Sequence, residues 1–150
     1  MLAETLHKAF LQSGKTLALA ESCTGGSVSA ALTAIPGASK FFLGSIVAYA
    51  NTWKEQFLGV SSPTLKIKGA VSLETAKEMA EGLFAKTSCD YAAAITGTAG
   101  PLNGALFIAV GKRGHIEVKQ FALPEGRTAA IAFAKEKTLQ ALLHCLQGKS

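Results

Sequence analysis

The sequence predicts an α/β fold: one domain of three layers, with helices on both faces of a mixed five-stranded sheet. Helix-like and strand-like segments alternate over the first part of the chain, which is typical of parallel strands joined by right-handed crossovers. A continuous apolar run over Tyr91–Thr96 is typical of a central strand. Two later apolar segments are separated only by Gly111–Gly114, which predicts a hairpin and therefore one antiparallel strand.

Length and composition are consistent with one compact domain over residues 1–150. The chain is 49% hydrophobic and 17% charged, and 150 residues suffice to bury a core. No repeat, linker or low-complexity tract divides it.

Helical spacing, capping residues and glycines predict the individual elements. Asn51 and Ser72 are typical N-caps, and the stretch Val60–Ala70 has no clear period and is expected to be irregular. In chain order we expect a helix over 2–13, a strand over 16–21, a helix over 27–34, a strand over 42–50, helices over 51–58 and 72–86, strands over 91–96, 105–110 and 115–122, and a helix over 128–146.

The charge of the chain indicates which partners to expect. A net charge of +5 favours an anionic ligand, but the basic residues are scattered and not interleaved with aromatics, so no nucleic acid is expected. From charge alone, a solvated surface is the better explanation, and a small phosphorylated molecule is the next candidate partner. The most apolar region is broken by glycines and a proline, which argues against a membrane span. Three cysteines without metal-ligand spacing favour a reduced, cytoplasmic protein with no metal. The sequence is consistent with either a monomer or a homo-oligomer.

The predicted topology brings four polar segments to one edge of the sheet. These are Ser22–Gly26, Tyr49–Lys54, Gly97–Pro101 and Leu123–Arg127. Each follows the carboxyl end of a parallel strand, where open α/β sheets bind ligands.

The first of these segments contains two candidate nucleophiles, Ser22 and Cys23. The hydroxyls of Ser22 and Thr24 can instead cap the helix that follows, which for the segment alone is the commoner role. Backbone amides at a helix start can also stabilise a developing oxyanion.

A serine nucleophile needs a base, and the three histidines are poor candidates. His7, His115 and His144 are all expected at the surface, away from this edge. Lys54 is the alternative, with Tyr49 five positions earlier. A lysine base must be neutral, which requires burial or a neighbouring cation. We expect Trp53 to shield it and Arg127 to repel it. Individually, Tyr49 and Lys54 are equally explained as an edge aromatic and a surface charge.

Arg127 opens the last predicted helix, where a cation is slightly unfavourable. Its guanidinium matches a phosphate in two-point geometry, although an ion pair with Glu125 or Glu21 would also explain it. The loop Thr96–Pro101 can offer amides to a ribose or phosphate, or simply connect two strands.

Taken together, these motifs resemble the CinA C-terminal domain family, whose enzymatic members are nicotinamide mononucleotide amidases. The resemblance spans nearly the whole chain. It rests on the motifs Ala20-Glu21-Ser22-Cys23-Thr24-Gly25-Gly26, Tyr49-x-Asn51-x-x-Lys54, Gly69-Ala70-Val71-Ser72 and Gly97-x-Ala99-Gly100-Pro101.

The resemblance implies hydrolysis of the carboxamide of nicotinamide mononucleotide, without cofactor or metal. It implies Ser22 as nucleophile, Lys54 as base and Tyr49 as the assisting group, with Arg127 on the substrate. With the residues around the two glycine turns, the expected substrate-binding set is Thr24, Gly25, Gly26, Gly97, Thr98, Ala99, Gly100 and Arg127.

The chain departs from the family pattern after Pro101. Family amidases carry a longer Gly-rich, charged segment there, whereas Leu102-Asn103-Gly104 leads directly into the next strand. Two alternatives to the amidase therefore stay open: a non-catalytic paralogue that binds a nucleotide or a partner, and an amidase for a different small carboxamide.

Overall fold

The computed structural model describes residues 1–149 as alternating helices and strands. Six α-helices and five strands account for most of these residues. Their bounds are α1 Leu2–Ser13, β1 Leu17–Glu21, α2 Ser27–Thr33, β2 Phe42–Val47, α3 Asn51–Leu58, α4 Ser62–Ile67, α5 Leu73–Lys86, β3 Tyr91–Gly97, β4 Ala105–Lys112, β5 His115–Ala122 and α6 Arg127–Leu146, with a short 3₁₀ turn at Ala38–Lys40 before β2.

The strands form one mixed sheet in the order β2-β1-β3-β4-β5. Strand β1 is parallel to both β2 and β3, and β4 is antiparallel to both of its neighbours. The hairpin therefore returns β5 to the direction of the first three strands, so that the carboxyl ends of four strands share one edge. The predicted mixed sheet with one antiparallel strand is confirmed.

Two separate cores lie on the two faces of the sheet, as a three-layer fold requires. Leu17 and Leu19 of β1 belong to the core covered by α1, α2 and α6. Ala18 and Ala20 belong to the core covered by α3 and α5. Because successive strand residues point to opposite faces, the end of β1 presents Glu21 towards α2 and the next residue towards α3.

The segment from Val60 to Ala70 was expected to be irregular, and this prediction is wrong. Helix α4 forms there, with the Ser61 side chain accepting a hydrogen bond from the Thr64 amide and Pro63 in its first turn. The serine and the proline are helix-start signals. They outweigh the weak apolar period of so short a helix.

Two further local predictions need correction. Asn51 does not cap α3, because it is the first residue of that helix and the cap position is Ala50, which makes no side-chain hydrogen bond. His7 is 6% exposed and not at the surface, since its ring packs edge-on against Phe41 with 5.3 Å between ring centroids. An imidazole is apolar enough to complete an aromatic cluster in the core.

Across residues 1–149, each helix is too short or too polar to cross a lipid bilayer.

We predict that Gly82→Ala destabilises the fold, although alanine favours helices over glycine by about 1 kcal/mol. A Cβ at Gly82 would lie 1.9 Å from the carbonyl oxygen of Leu58, at the end of the helix that carries Lys54. Overpacking of this kind costs about 1–3 kcal/mol, which urea denaturation would measure. Lys77→Ala on the exposed face of α5 is the control, and a more stable Gly82→Ala protein would contradict the close approach.

Candidate active site

A cavity of about 240 Å³ opens at the carboxyl edge of the sheet. All four segments that the sequence placed at this edge contribute to it. Its lining comprises Ser22, Cys23, Tyr49, Asn51, Lys54, Ala70, Val71, Thr96, Gly97, Thr98, Ala99 and Arg127. The predicted catalytic trio and Arg127 thus meet around one space.

Ser22 is held at the cavity wall by the backbone on both sides of it. Its amide donates to the carbonyl of Ile95 in the central strand at 3.1 Å, and its carbonyl accepts from the Gly25 amide at 3.0 Å. The first bond continues the β1–β3 ladder by one residue, and the second closes the turn that follows. The position of Ser22 is therefore set by the sheet.

The buried carboxylate of Glu21 caps helix α2. Its Oε1 accepts from the Thr24 hydroxyl at 2.6 Å and from the amides of Gly26 and Val28 at 3.1 Å each. Its Oε2 accepts from the amide and the hydroxyl of Ser29, at 2.9 and 2.5 Å. Sequence reasoning missed this role, because a cap is normally sought next to the helix and Glu21 lies in the preceding strand.

Because of this cap, the first glycine turn, Thr24–Gly26, is not placed to bind substrate as the sequence predicted. Thr24, Gly25 and Gly26 do not line the cavity. The Thr24 hydroxyl and the Gly26 amide donate to Glu21, and the Gly25 amide donates to Ser22. These groups are thus engaged inside the protein and do not face the space in front of Ser22.

The second glycine loop is closer to the cavity. Gly97, Thr98 and Ala99 line it, whereas Gly100 does not and instead accepts from the Gly126 amide. The Ala99 amide donates to no acceptor within residues 1–149. It is therefore open to an anionic or carbonyl oxygen in the cavity.

Lys54 is 1% exposed, although it is a lysine at the start of a short helix. Its Nζ donates to the backbone carbonyl of Tyr49 at 3.0 Å. No carboxylate among the described residues pairs with it. Burial without a counter-charge disfavours the ammonium form and lowers the pKa of Lys54.

Burial is the main cause of this lowered pKa, and it is one of the two causes named from the sequence. The other, repulsion by the charge of Arg127, is not among the contributions. Trp53, which was expected to shield the amine, is half exposed and packs edge-on against Phe57.

Tyr49 and Arg127 form the exposed rim of the cavity. Tyr49 is 62% exposed, and its hydroxyl accepts from Nη1 of Arg127 at 3.4 Å. Tyr49 therefore meets Lys54 through its backbone carbonyl and Arg127 through its phenol. Within residues 1–149 Arg127 forms no ion pair with Glu125 or Glu21, so its guanidinium stays available to a ligand.

Cys23 borders the cavity but belongs to the core on the α2 side of the sheet. Its Sγ would lie 3.1 Å from a Cβ at Gly97, so a larger residue there would displace the thiol. Burial, with a smaller contribution from the charge of Glu21, raises the pKa of Cys23 to about 11. The thiol is thus protonated at neutral pH.

Sequence reasoning missed Ala70 and Val71 as lining residues, although it singled out the motif that contains them. The loop they occupy is tied to β3 by the Thr96 hydroxyl, which donates to the Ala70 carbonyl at 2.7 Å. The Gly69 carbonyl accepts from the hydroxyls of Ser72 and Thr75 at the start of α5. Capping signals around Ser72 indicated a fixed loop, but not the cavity it faces.

No metal-ligating cluster is present in residues 1–149: no three His, Cys, Asp or Glu side chains lie close enough to share an ion.

The chain matches the family model of the CinA C-terminal domain over residues 1–146. It belongs to the CinA C-terminal domain family. A CinA-like protein of Endomicrobium trichonymphae is 50% identical over 103 residues, covering 69% of this chain and 24% of that protein. A putative competence-damage inducible protein of Desulforamulus reducens is 36% identical over 154 residues, covering 99% and 38%.

The chain therefore spans only about a quarter to two fifths of these curated relatives. Solved CinA-superfamily structures match it almost end to end. A protein from Klebsiella pneumoniae has a TM-score of 0.93 at 31% identity, with 98% of this chain and 96% of that chain covered. A competence/damage inducible protein from Agrobacterium tumefaciens has a TM-score of 0.89 at 34% identity, with 97% and 93% covered.

The lowered pKa of Lys54 predicts how stability changes with pH. Between the folded-state pKa and the ordinary value of 10.5, the unfolded chain binds more protons, so wild-type stability rises with pH in that window. Lys54→Met removes this dependence. Its advantage in free energy of unfolding over the wild type should therefore shrink as pH rises to 10.5, as urea titrations at several pH values would measure. Lys8→Met, on the exposed side of α1, reports the general effect of losing one lysine. A constant difference would contradict the lowered pKa.

Proposed function

We propose that the protein is a serine amidohydrolase that converts nicotinamide mononucleotide to nicotinate mononucleotide and ammonia. The observation that carries the proposal is the shared cavity of Ser22 and Lys54, in which the lysine is buried without a counter-charge. Arg127 at the rim supplies a cation for the phosphate. Membership of the CinA family and the motifs of the sequence support the same chemistry.

In this mechanism Lys54 is the general base. Burial lowers its pKa, which increases the neutral fraction at physiological pH. A neutral amine still donates one hydrogen to the Tyr49 carbonyl, and its lone pair then takes the proton of the Ser22 hydroxyl. The Tyr49 carbonyl thus orients the amine, and the assisting role of the Tyr49 phenol stays a prediction.

The Ser22 oxygen then forms a bond to the carboxamide carbon. Backbone amides of the residues that line the cavity beside Ser22, among them the Ala99 amide, stabilise the oxyanion. The C–N bond breaks as protonated Lys54 returns its proton to the nitrogen, and ammonia leaves. Water, deprotonated by Lys54, cleaves the acyl-enzyme, giving the nicotinate product and free Ser22.

The phosphate of the substrate is expected at the start of α6. That helix has twenty residues, begins at Arg127 and has no side-chain cap at Gly126. Its first amides and the Arg127 guanidinium therefore favour a bound phosphate. By contrast, the amides at the start of α2 donate to the Glu21 carboxylate, so that helix start is not free to bind an anion.

An amidase for a different small carboxamide is the second candidate. The connection after Ala99 contributes nothing further to the cavity, so this side leaves room for a substrate of another shape. A panel of carboxamides without phosphate would distinguish the two.

We predict that the wild type releases ammonia from nicotinamide mononucleotide in the presence of a metal chelator. Ser22→Ala and Lys54→Ala should each lower kcat by at least about a thousandfold, since each removes part of one catalytic unit. Cys23→Ser should keep activity, because the protonated thiol is not the nucleophile. The measurement is a coupled ammonia assay with folding checked by circular dichroism.

Two results would count against the proposal. Loss of activity in Cys23→Ser with retention in Ser22→Ala would make the cysteine the nucleophile. Tight nucleotide binding by folded wild type without ammonia release, and indifferent to Lys54→Ala, would favour the non-catalytic paralogue.

We also predict that Arg127→Ala raises KM for nicotinamide mononucleotide by about 10–100-fold while kcat changes little. Charge-assisted hydrogen bonds contribute about 1.5–3 kcal/mol, and a phosphate contact is made equally in ground and transition states. Nicotinamide riboside, which lacks the phosphate, is the matched control substrate, and its kinetics should not respond to the substitution. An equal loss for both substrates would remove Arg127 from the phosphate site.

A further inference from the structure

Glu21 is a fully buried carboxylate with no cation to neutralise it within residues 1–149. Burying an isolated charge is costly unless hydrogen bonds compensate for lost hydration. Three backbone amides and two hydroxyls, all donated from the turn after Ser22 and the first turn of α2, supply this compensation. The carboxylate thus links the end of β1 to both the turn and the start of α2.

The geometry requires a carboxylate and not merely a polar side chain. Both oxygens of Glu21 act as acceptors only, and Oε1 and Oε2 each face an amide of α2. A glutamine in the same place would turn its NH₂ group towards one of these N–H donors. It has nearly the same size, so it changes the hydrogen bonding without leaving a cavity.

The same residue links the sheet to the turn that contains Ser22. The backbone carbonyl of Glu21 accepts from the Ala48 amide at 2.8 Å, which fixes the strand end. Its side chain fixes the start of α2 on the far side of the turn. Ser22 lies between these two anchors.

We propose that Glu21 is a positioning residue for Ser22: its backbone carbonyl fixes the strand end of the Ser22–Gly26 turn and its carboxylate fixes the helix end, which holds the serine hydroxyl towards Lys54. This inference rests on the proposed function, since it takes Ser22 to be an activated nucleophile. Glu21 does not touch the substrate and is not a member of the cavity lining.

The neighbouring Cys23 thiol is neutral mainly because it is buried, which raises its pKa to about 11, and the charge of Glu21 makes a smaller contribution in the same direction. A Cys23 thiolate would raise the pKa of Lys54 and hold it as an ammonium. Keeping the thiol neutral therefore keeps the base available to Ser22.

The test uses a fluorophosphonate, which reports an activated serine whatever the natural substrate is. The serine oxygen forms a bond to phosphorus, fluoride leaves, and Lys54 accepts the proton. The rate of labelling at Ser22 would be measured by peptide mass spectrometry for wild type, Ser22→Ala, Glu21→Gln and Asp90→Asn. Asp90 is the matched control, because it accepts from the amide and hydroxyl of Thr16 at the opposite end of β1.

We expect Glu21→Gln to label at Ser22 about 10–100-fold more slowly than wild type, since displacements of about 1 Å have effects of this size. Asp90→Asn should stay within about twofold. In the ammonia assay Glu21→Gln should lower kcat and leave KM unchanged, because the phosphate site at α6 does not involve Glu21. A purely structural role would instead reduce labelling and kcat only in proportion to the folded fraction, as determined by urea denaturation.

If Glu21→Gln does not fold, Ser29→Ala replaces it. This variant removes the 2.5 Å hydrogen bond to Oε2, together with the 2.7 Å contact between the Ser29 and Ser45 hydroxyls, and keeps the Ser29 amide in place. Ser45→Ala, which removes only the second contact, is its control. Ser29→Ala should slow labelling by about two- to tenfold, in line with one hydrogen bond. Unchanged labelling in the folded variant overturns the inference.

The same data separate this inference from the assignment of the substrate. If wild type is labelled at Ser22 but releases no ammonia from nicotinamide mononucleotide, the substrate proposal fails and the labelling ratio still decides the role of Glu21. If wild type is labelled no faster than Ser22→Ala, there is no activated serine to position, and both proposals fail.

Discussion

The arrangement of the cavity depends on one buried charge, the carboxylate of Glu21. Its five hydrogen bonds compensate the carboxylate for lost hydration, and they also give the free amides at the start of α2 an acceptor. Because the strand end is fixed by the sheet, this helix start acquires a fixed position relative to β1. The turn between them, with Ser22 facing one core and Cys23 the other, then has little freedom. Strand geometry therefore decides which of the two adjacent candidate nucleophiles, Ser22 or Cys23, lies on the side of Lys54.

Lys54 is also buried, but, unlike Glu21, it has little hydrogen bonding to stabilise its charged form. No carboxylate among residues 1–149 compensates it, and its only described hydrogen bond is to a carbonyl. The fold therefore favours the neutral amine, which is the form a base requires. The absence of a side chain at Gly82 lets α5 approach the end of α3, the helix that carries Lys54. The α2 side of the sheet thus stabilises the carboxylate of Glu21, and the α3 side disfavours the ammonium form of Lys54. Both groups lie close to Ser22, since Glu21 precedes it in the chain and Lys54 lines the same cavity.

Much of this architecture could be predicted from the sequence, because strand alternation and glycine turns are local signals. The direction of each strand, and hence the meeting of Ser22, Lys54 and Arg127 at one edge, follows from the lengths of the connections. The individual side-chain contacts could not be predicted. Glu21 looks like the last residue of a strand, His7 looks like a surface histidine, and Ala70 has no polar group to reveal that it lines a cavity. Only the tertiary structure shows which partners these residues meet.

The connection between β3 and β4 has a consequence for how substrate range can change. It is closed at its base by the Thr98 amide on the Ala105 carbonyl and by the Leu123 amide on the Gly104 carbonyl. A Cβ at Gly104 would lie 2.3 Å from the Thr98 carbonyl oxygen, so the two ends of the connection are in direct contact. Chain inserted between 100 and 103 would extend outward from this closed base without altering the register of the sheet. Length variation at this point is a route by which evolution or engineering can enclose different ligands without changing the floor of the cavity.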